Sequence, residues 1–216
     1  SITLSLVVLM AMLSGAGILW IFWTYGKGLP DYQQLANYEP PVVTRVHAGN
    51  GALLAEYASE KRLFVPVKAI PSRLIQAFIS AEDKAFYDHF GVDLRALARA
   101  VITNIVNYGS GRRPVGASTI TQQVTKNFLL TNEVSIDRKI KEAILSLRME
   151  RAFTKDQILA LYLNEIYLGR GSYGVAAAAL KYFDKSLDQL DLQEMAYLAA
   201  LPKAPNNYHP IQNRRA

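Results

Sequence analysis

A mainly helical domain on one membrane-spanning helix, with a small β-hairpin between the two, is the fold predicted by three observations in this sequence. Residues 2–25 form an uncharged apolar run at the N-terminus. Residues 27–70 are punctuated by Pro and Gly and hold two short alternating runs about an Asn-Gly turn. Everything after Pro71 carries helical periodicity and capping signals rather than strand alternation. Half of the residues are hydrophobic and 19% are charged, which excludes a disordered chain.

Between Ile2 and Tyr25 only Thr3, Ser5, Ser14, Thr24 and two glycines interrupt the apolar run. At about 1.5 Å per residue such a run covers roughly 36 Å, enough for a hydrocarbon core of about 30 Å. Trp20, Trp23 and Tyr25 gather at one end, where an interfacial aromatic belt would sit. A cleaved signal peptide is shorter and ends in small residues, so residues 1–26 read as an anchor. Residues 27–70 follow as a linker with Pro30, Pro40 and Pro41 and then the hairpin, 42–47 and 52–57 flanking Asn50-Gly51. Residues 62–67 could supply a third short strand.

Residues 71–216 read as the helical domain. Leu94, Leu97, Ala98, Val101 and Ile105 recur at helical spacing, as a stripe facing a core does. Residues 154–157 (TKDQ) and 191–194 (DLQE) resemble capping boxes that open further helices. Residues 108–115 (YGSGRRPV) are rich in Gly and Arg and are interrupted by Pro114, so they read as a mobile loop bordering any cleft.

Lys and Arg number 24 against 18 Asp and Glu, a formal charge of +6. Beside a membrane, that excess suits anionic head groups or phosphorylated lipids. Nucleic acid is the competing partner of a basic chain, but no aromatic-basic repeat or zinc finger supports it. With no Cys, a disulfide scaffold, a thiolate zinc site and a cysteine nucleophile are excluded. His47, His89 and His209 lie far apart, which disfavours a histidine metal site.

Three stretches could carry chemistry. Residues 82–93 (EDKAFYDHFGVD) set carboxylates and one imidazole beside aromatic rings. A carboxylate walled by Phe86 or Phe90 would be desolvated and gain base strength, although a solvated acidic helix end reads equally well. Residues 116–127 (GASTITQQVTKN) are dense in hydroxyls and amides, suited to sugar hydroxyls or phosphate oxygens. A polar helix packed by Ile120, Val124 and Phe128 is the plain alternative. In residues 138–142 (RKIKE), Arg138 and Glu142 are one helical turn apart and could be an ordinary surface ion pair. A carboxylate with fixed cations beside it is also what a phosphate leaving group requires.

These three runs resemble the first three signature motifs of the peptidoglycan glycosyltransferase (transglycosylase) family, the lysozyme-like domains of class A penicillin-binding proteins and of monofunctional transglycosylases. Residues 155–185 resemble the fourth motif and residues 192–210 the fifth. Departures fall at Ala117 and Asp184, where the family has Gly, and at Ala160, where it has Glu. The resemblance implies an enzyme that polymerises lipid II into β-1,4-linked glycan and releases undecaprenyl pyrophosphate, with inversion at the anomeric carbon. It implies Glu82 as the base and Lys126, Arg138 and Lys139 as cations toward the departing pyrophosphate. Glu142 would either orient them or hold a divalent ion, Mg²⁺ or Mn²⁺; no organic cofactor is expected. Asp83, His89, Ser118, Gln123 and Asn127 match positions that line the substrate cleft.

The same resemblance implies lipid II, lipid-linked glycan, membrane lipids and cell-wall synthesis proteins as partners, and moenomycin-type inhibitors. The setting implied is the bacterial inner membrane, crossed once, with the catalytic domain on the periplasmic side. No Ser-x-x-Lys or Lys-Thr-Gly occurs, so a transpeptidase is not expected in these residues. The ends, Ser1 and Ala216, suggest a piece of a longer chain. A lysozyme-like hydrolase with paired carboxylates and a non-catalytic membrane-tethered scaffold remain as other classes. The cations around the second carboxylate have no use in the first, and the second predicts that Glu82 is dispensable.

Overall fold

The computed structural model describes residues 2–37, 44–49, 53–57, 61–112, 114–131 and 133–205. Among the described residues the chain is mostly helical, with four short strands. Helix α1 (Ile2–Tyr25) is apolar on every side, and none of its described side chains is buried in the protein. Its 24 residues exceed the length that spans a bilayer core. At its end the Tyr25 hydroxyl donates to Asp137 Oδ1 at 3.2 Å, and Lys27 Nζ lies 3.7 Å from the centroid of the Trp23 ring.

Strands β1 (Thr44–His47) and β2 (Leu53–Tyr57) pair antiparallel, Thr44 opposite Tyr57, with a register shift between Val46 and His47. The expected turn at Asn50-Gly51 lies outside the described residues, so the hairpin is not described as a unit. Strand β3 (Lys61–Arg62) instead runs parallel to β4 (Ser172–Tyr173), a pairing across much of the chain.

The domain core is built by six helices. α2 (Ser72–Glu82) follows Pro71 and buries Leu74 and Phe78, one turn apart, and it lies against α8 (Leu192–Ala200). α4 (Ile120–Leu129) packs on α5 (Ile136–Ala152) and on α6 (Lys155–Glu165). α7 (Val175–Phe183) closes over α6 and α8. The capping boxes expected at Thr154/Gln157 and Asp191/Glu194 are both formed. A third, Thr119/Gln122, opens α4, so reciprocal side-chain bonds start a helix that Thr-rich propensity alone would disfavour. The departure at Asp184 has a backbone setting: it ends α7 at φ +54°, the left-handed region where glycine carries no strain and Asp is better tolerated than most.

Helix α3 (Leu94–Val106) corrects one expectation. Asp93 caps it, accepting from the N–H groups of Arg95 and Ala96. Its apolar stripe, however, does not enter the core: Leu94 is 73% exposed, Ile105 68%, and only Ala100 is buried. Periodicity of 3.6 says that a helix has one apolar side; protein or lipid can cover that side equally well.

One backbone approach fixes the ground beneath the site. Gly91 has φ +97°, and a Cβ there would lie 2.6 Å from the carbonyl oxygen of Ser146 in α5. Gly91→Ala is therefore expected to cost about 3 kcal/mol through backbone strain and overlap. Thermal unfolding should show Tm lower by about 6–12 °C; an unchanged Tm would mean that the loop does not press on α5 in this way.

Candidate active site

Glu82 is the last residue of α2 and its side chain is half-buried. Gln123, from the middle of α4, donates from Nε2 to Glu82 Oε2 at 2.8 Å. Burial raises the Glu82 carboxyl above its ordinary range; the Gln123 bond opposes this, the charge of Asp83 adds to it, and Lys203 pulls it back. Lys203 follows α8 in the 3-10 turn Leu201–Lys203 and was not singled out from sequence. No spacing rule could find it, since it meets Glu82 only because α8 packs on α2.

Asp83 and His89 sit immediately behind Glu82, both buried. His89 Nε2 lies 3.1 and 2.9 Å from the two Asp83 oxygens. The Gly91 N–H donates to His89 Nδ1, which leaves Nε2 as the donor to Asp83. Asp83 Oδ2 also accepts the N–H of Ile120, the first residue of α4. Thr119 Oγ1 completes the knot by donating to the carbonyl of Gly91 at 2.6 Å. These groups tie the end of α2 to the start of α4 and thereby set Glu82 opposite Gln123. Their polar atoms face one another and the backbone.

The second half of the site is the N-terminal turn of α5. Glu142 is 1% exposed and accepts from Arg138 Nη1 at 2.8 Å and, on its other oxygen, from Lys139 Nζ. Lys139 Nζ also donates to Ser118 Oγ at 2.7 Å, so it joins the segment before α4 to α5. Arg138 Nε is buried with no partner among the described residues. Below Glu142 the same stripe of α5 binds α4 through hydroxyls. Ser146 Oγ lies 3.1 Å from Thr125 Oγ1, and Glu150 Oε1 accepts from Thr121 Oγ1 at 2.6 Å and from Lys155 Nζ at 2.7 Å. This ladder of Thr121, Thr125, Ser146 and Glu150 was also missed, though helical spacing of hydroxyls and carboxylates on two successive helices is a usable signal for it.

Helix geometry places Lys126 and Asn127 on the face of Gln123, three and four residues further along α4. Neither side chain has a hydrogen-bond partner among the described residues, and Asn127 is exposed. The structure thus brings Glu82 to Gln123, and Arg138, Lys139 and Ser118 to Glu142, with α4 between the two groups. Among the described residues no cluster of three or more His, Asp or Glu side chains is placed to hold a metal ion. Both Glu142 oxygens already carry a cation from their own helix, so the residues as arranged do not fit a metal held at Glu142.

The loop after α3 borders an open hollow lined by Asn104, Tyr108, Arg112 and Pro114. Its far end is clasped to α3: Asn104 accepts the Val115 N–H at 2.7 Å and donates to the Val115 carbonyl at 3.1 Å. Arg113 lies outside the described residues.

A family model described as Transglycosylase matches residues 50–216. Penicillin-binding protein 1A of Rickettsia felis is 59% identical over 203 residues, which cover 94% of this chain and 26% of that protein. The protein of the same name from Aquifex aeolicus is 49% identical over 185 residues, 86% of this chain and 25% of its own length. The chain thus spans about a quarter of these curated relatives. A crystal structure of penicillin-binding protein 1A from Haemophilus influenzae aligns at 28% identity over 81% of this chain and 16% of that one, with a TM-score of 0.39.

Proposed function

This chain belongs to the transglycosylase family, and from that premise we propose that it is a peptidoglycan glycosyltransferase of bacterial cell-wall synthesis that polymerises lipid II. The observation that carries the reading is the division of labour across α4. A half-buried carboxylate of raised basicity stands on one side, and a pair of fixed cations at the start of α5 on the other.

In the proposed reaction the acceptor is lipid II and the donor is a glycan held through pyrophosphate to undecaprenol. Glu82 takes the proton of the acceptor GlcNAc 4-hydroxyl as its oxygen attacks the donor anomeric carbon. The bond from that carbon to pyrophosphate breaks on the opposite face, so an α-linkage becomes β-1,4. Undecaprenyl pyrophosphate leaves with the electron pair, and Arg138, Lys139 and Lys126 neutralise its growing charge. Glu142 orients Arg138 and Lys139. Ser118, Gln123 and Asn127 line the cleft, while Asp83 and His89 act from behind by holding α2 to α4. No step is routed through a divalent ion.

Residues 1–26 serve as the anchor, 27–70 as linker and strands, and 71–216 as the lysozyme-like catalytic domain on the outer side of the inner membrane. The exposed apolar face of α3 suits contact with the bilayer that delivers a lipid-linked substrate. Other cell-wall proteins as partners, and moenomycin-type inhibitors, follow from the family rather than from any contact seen here. A hydrolase is disfavoured because a second carboxylate already engaged by two cations is poorly placed to serve as nucleophile or acid.

The test is incubation of the purified chain in detergent with labelled lipid II, the products resolved on a gel. A ladder of glycan polymer is expected. Cleavage of preformed glycan without polymerisation would overturn the reading in favour of hydrolysis. The pH profile gives a further check. Because Glu82 must be unprotonated to act and its carboxyl is raised, the rate should fall on acidification through a midpoint above 4.5, its ordinary value.

A further inference from the structure

The hydroxyl of Tyr162 has no evident structural use. Tyr162 belongs to α6 and is 1% exposed, and its hydroxyl has no hydrogen-bond partner among the described residues. Burying an unpaired hydroxyl is unfavourable, and phenylalanine would fill the same space without that penalty. A tyrosine kept in so apolar a place calls for a reason.

Its position supplies one. The Tyr162 ring meets Phe78 of α2 edge to face, with centroids 6.2 Å apart. Glu82 lies four residues beyond Phe78, on the same side of α2. The phenol is held protonated by burial first, then by the nearby charges of Glu82 and Asp83, so it remains an O–H donor beside two carboxylates. Asp83 already has a donor on each oxygen: His89 reaches both and the Ile120 N–H adds a second bond to Oδ2. Glu82 Oε2 takes Gln123, whereas Glu82 Oε1 has no hydrogen-bond partner among the described residues. One buried donor without an acceptor therefore stands near one acceptor without a donor.

We propose that Tyr162 is a positioning residue for Glu82, its hydroxyl donating to Oε1 of the charged carboxylate, directly after a small rotation or across one water. Together with Gln123 on Oε2, this grips both oxygens and points the carboxylate into the cleft. It also moderates the basicity that burial confers, because a donor to the charged form favours that form. The groups that set the Glu82 titration are then Asp83 with its partner His89, Lys203 from the turn after α8, Gln123 from α4 and Tyr162 from α6. The proposal rests on Glu82 being the base.

The test reads Glu82 directly. In the full chain in detergent micelles with ¹³C-labelled glutamate, the Glu82 carboxyl resonance is identified by its loss in Glu82→Gln and titrated with pH. Tyr162→Phe should raise its midpoint by about one pH unit and shift the acid limb of polymerisation upward with it, while Tm stays level or rises. Fluorotyrosine at position 162, a stronger donor in the same space, should move the midpoint downward and keeps the test open if the Phe variant folds poorly. An unmoved midpoint in both variants would overturn the proposal and leave only an unpaired hydroxyl. If the midpoint moves but Glu82→Gln still polymerises lipid II, the positioning contact stands, and the role of Glu82 as base is what fails.

Discussion

Glu82→Gln is expected to lower polymerisation of lipid II by about 10²–10⁴-fold, the usual contribution of a positioned general base. The amide keeps the size of the carboxylate and can still meet Gln123, so little else should change. Stability provides the control. A carboxyl whose folded-state pKa is raised stabilises the fold most at low pH, and that contribution is lost as pH rises through the folded value. At neutral pH the charge on Glu82 is thus a burden on the fold, and its removal should leave Tm unchanged or slightly higher. A variant that turns over at near parental rate would remove Glu82 from the mechanism. One that loses activity together with its fold would say nothing specific about a base.

Glu142→Gln is expected to damage both activity and stability, and this separates it from Glu82. The residue is almost wholly buried and binds Arg138 and Lys139 at once. Taking away its charge leaves two cations beside each other with no counter-ion, one of them well buried. Loss of one partner from a buried pair costs about 3–5 kcal/mol. The lower end applies here, since the Lys139 side chain is 46% exposed and solvent screens it. At about 2–4 °C per kcal/mol this lowers Tm by roughly 6–12 °C. Polymerisation should also fall at temperatures where the variant remains folded, because the two cations lose the carboxylate that fixes them and with it their proposed hold on the leaving group. Full activity in such a folded variant would show that the ion pairs only brace α5.

The helices were legible where their ends are written locally. Thr154 with Gln157, and Asp191 with Glu194, lie three residues apart, and that spacing alone lets each pair close a capping box. The start of α4 was less plain, because hydroxyl-rich residues favour turns unless something holds them. The something is partly local, Thr119 with Gln122, and partly the carboxylate of Asp83 on the Ile120 N–H. Asp83 is distant in sequence, and no window centred on α4 contains it. α3 is a helix as its spacing predicts, but the side its stripe faces was not legible, for a different reason. Its apolar stripe is real, but the medium that covers it is not encoded in its period.

The candidate residues divide along the same line. Arg138, Lys139 and Glu142 are neighbours on one helix, so their association follows from spacing once α5 is helical. That Glu142 is buried rather than at the surface depends on the hydroxyl ladder between α4 and α5. Gln123 meeting Glu82, and Lys203 tempering it, require α2, α4 and α8 to converge.

By itself the sequence determined the apolar N-terminal helix, the helical character of the domain, the caps that start its helices and the residue types of the candidate site. Each follows from interactions within about one turn, or from the uniform hydrophobicity of a segment, and both are complete in a short window. Only the tertiary structure decided which carboxylate is desolvated and which is paired. It also decided which apolar face stays outside the core and which buried hydroxyl feels the charge of Glu82. Desolvation and charge coupling depend on what is brought near from far along the chain, and that proximity exists only once the helices have packed.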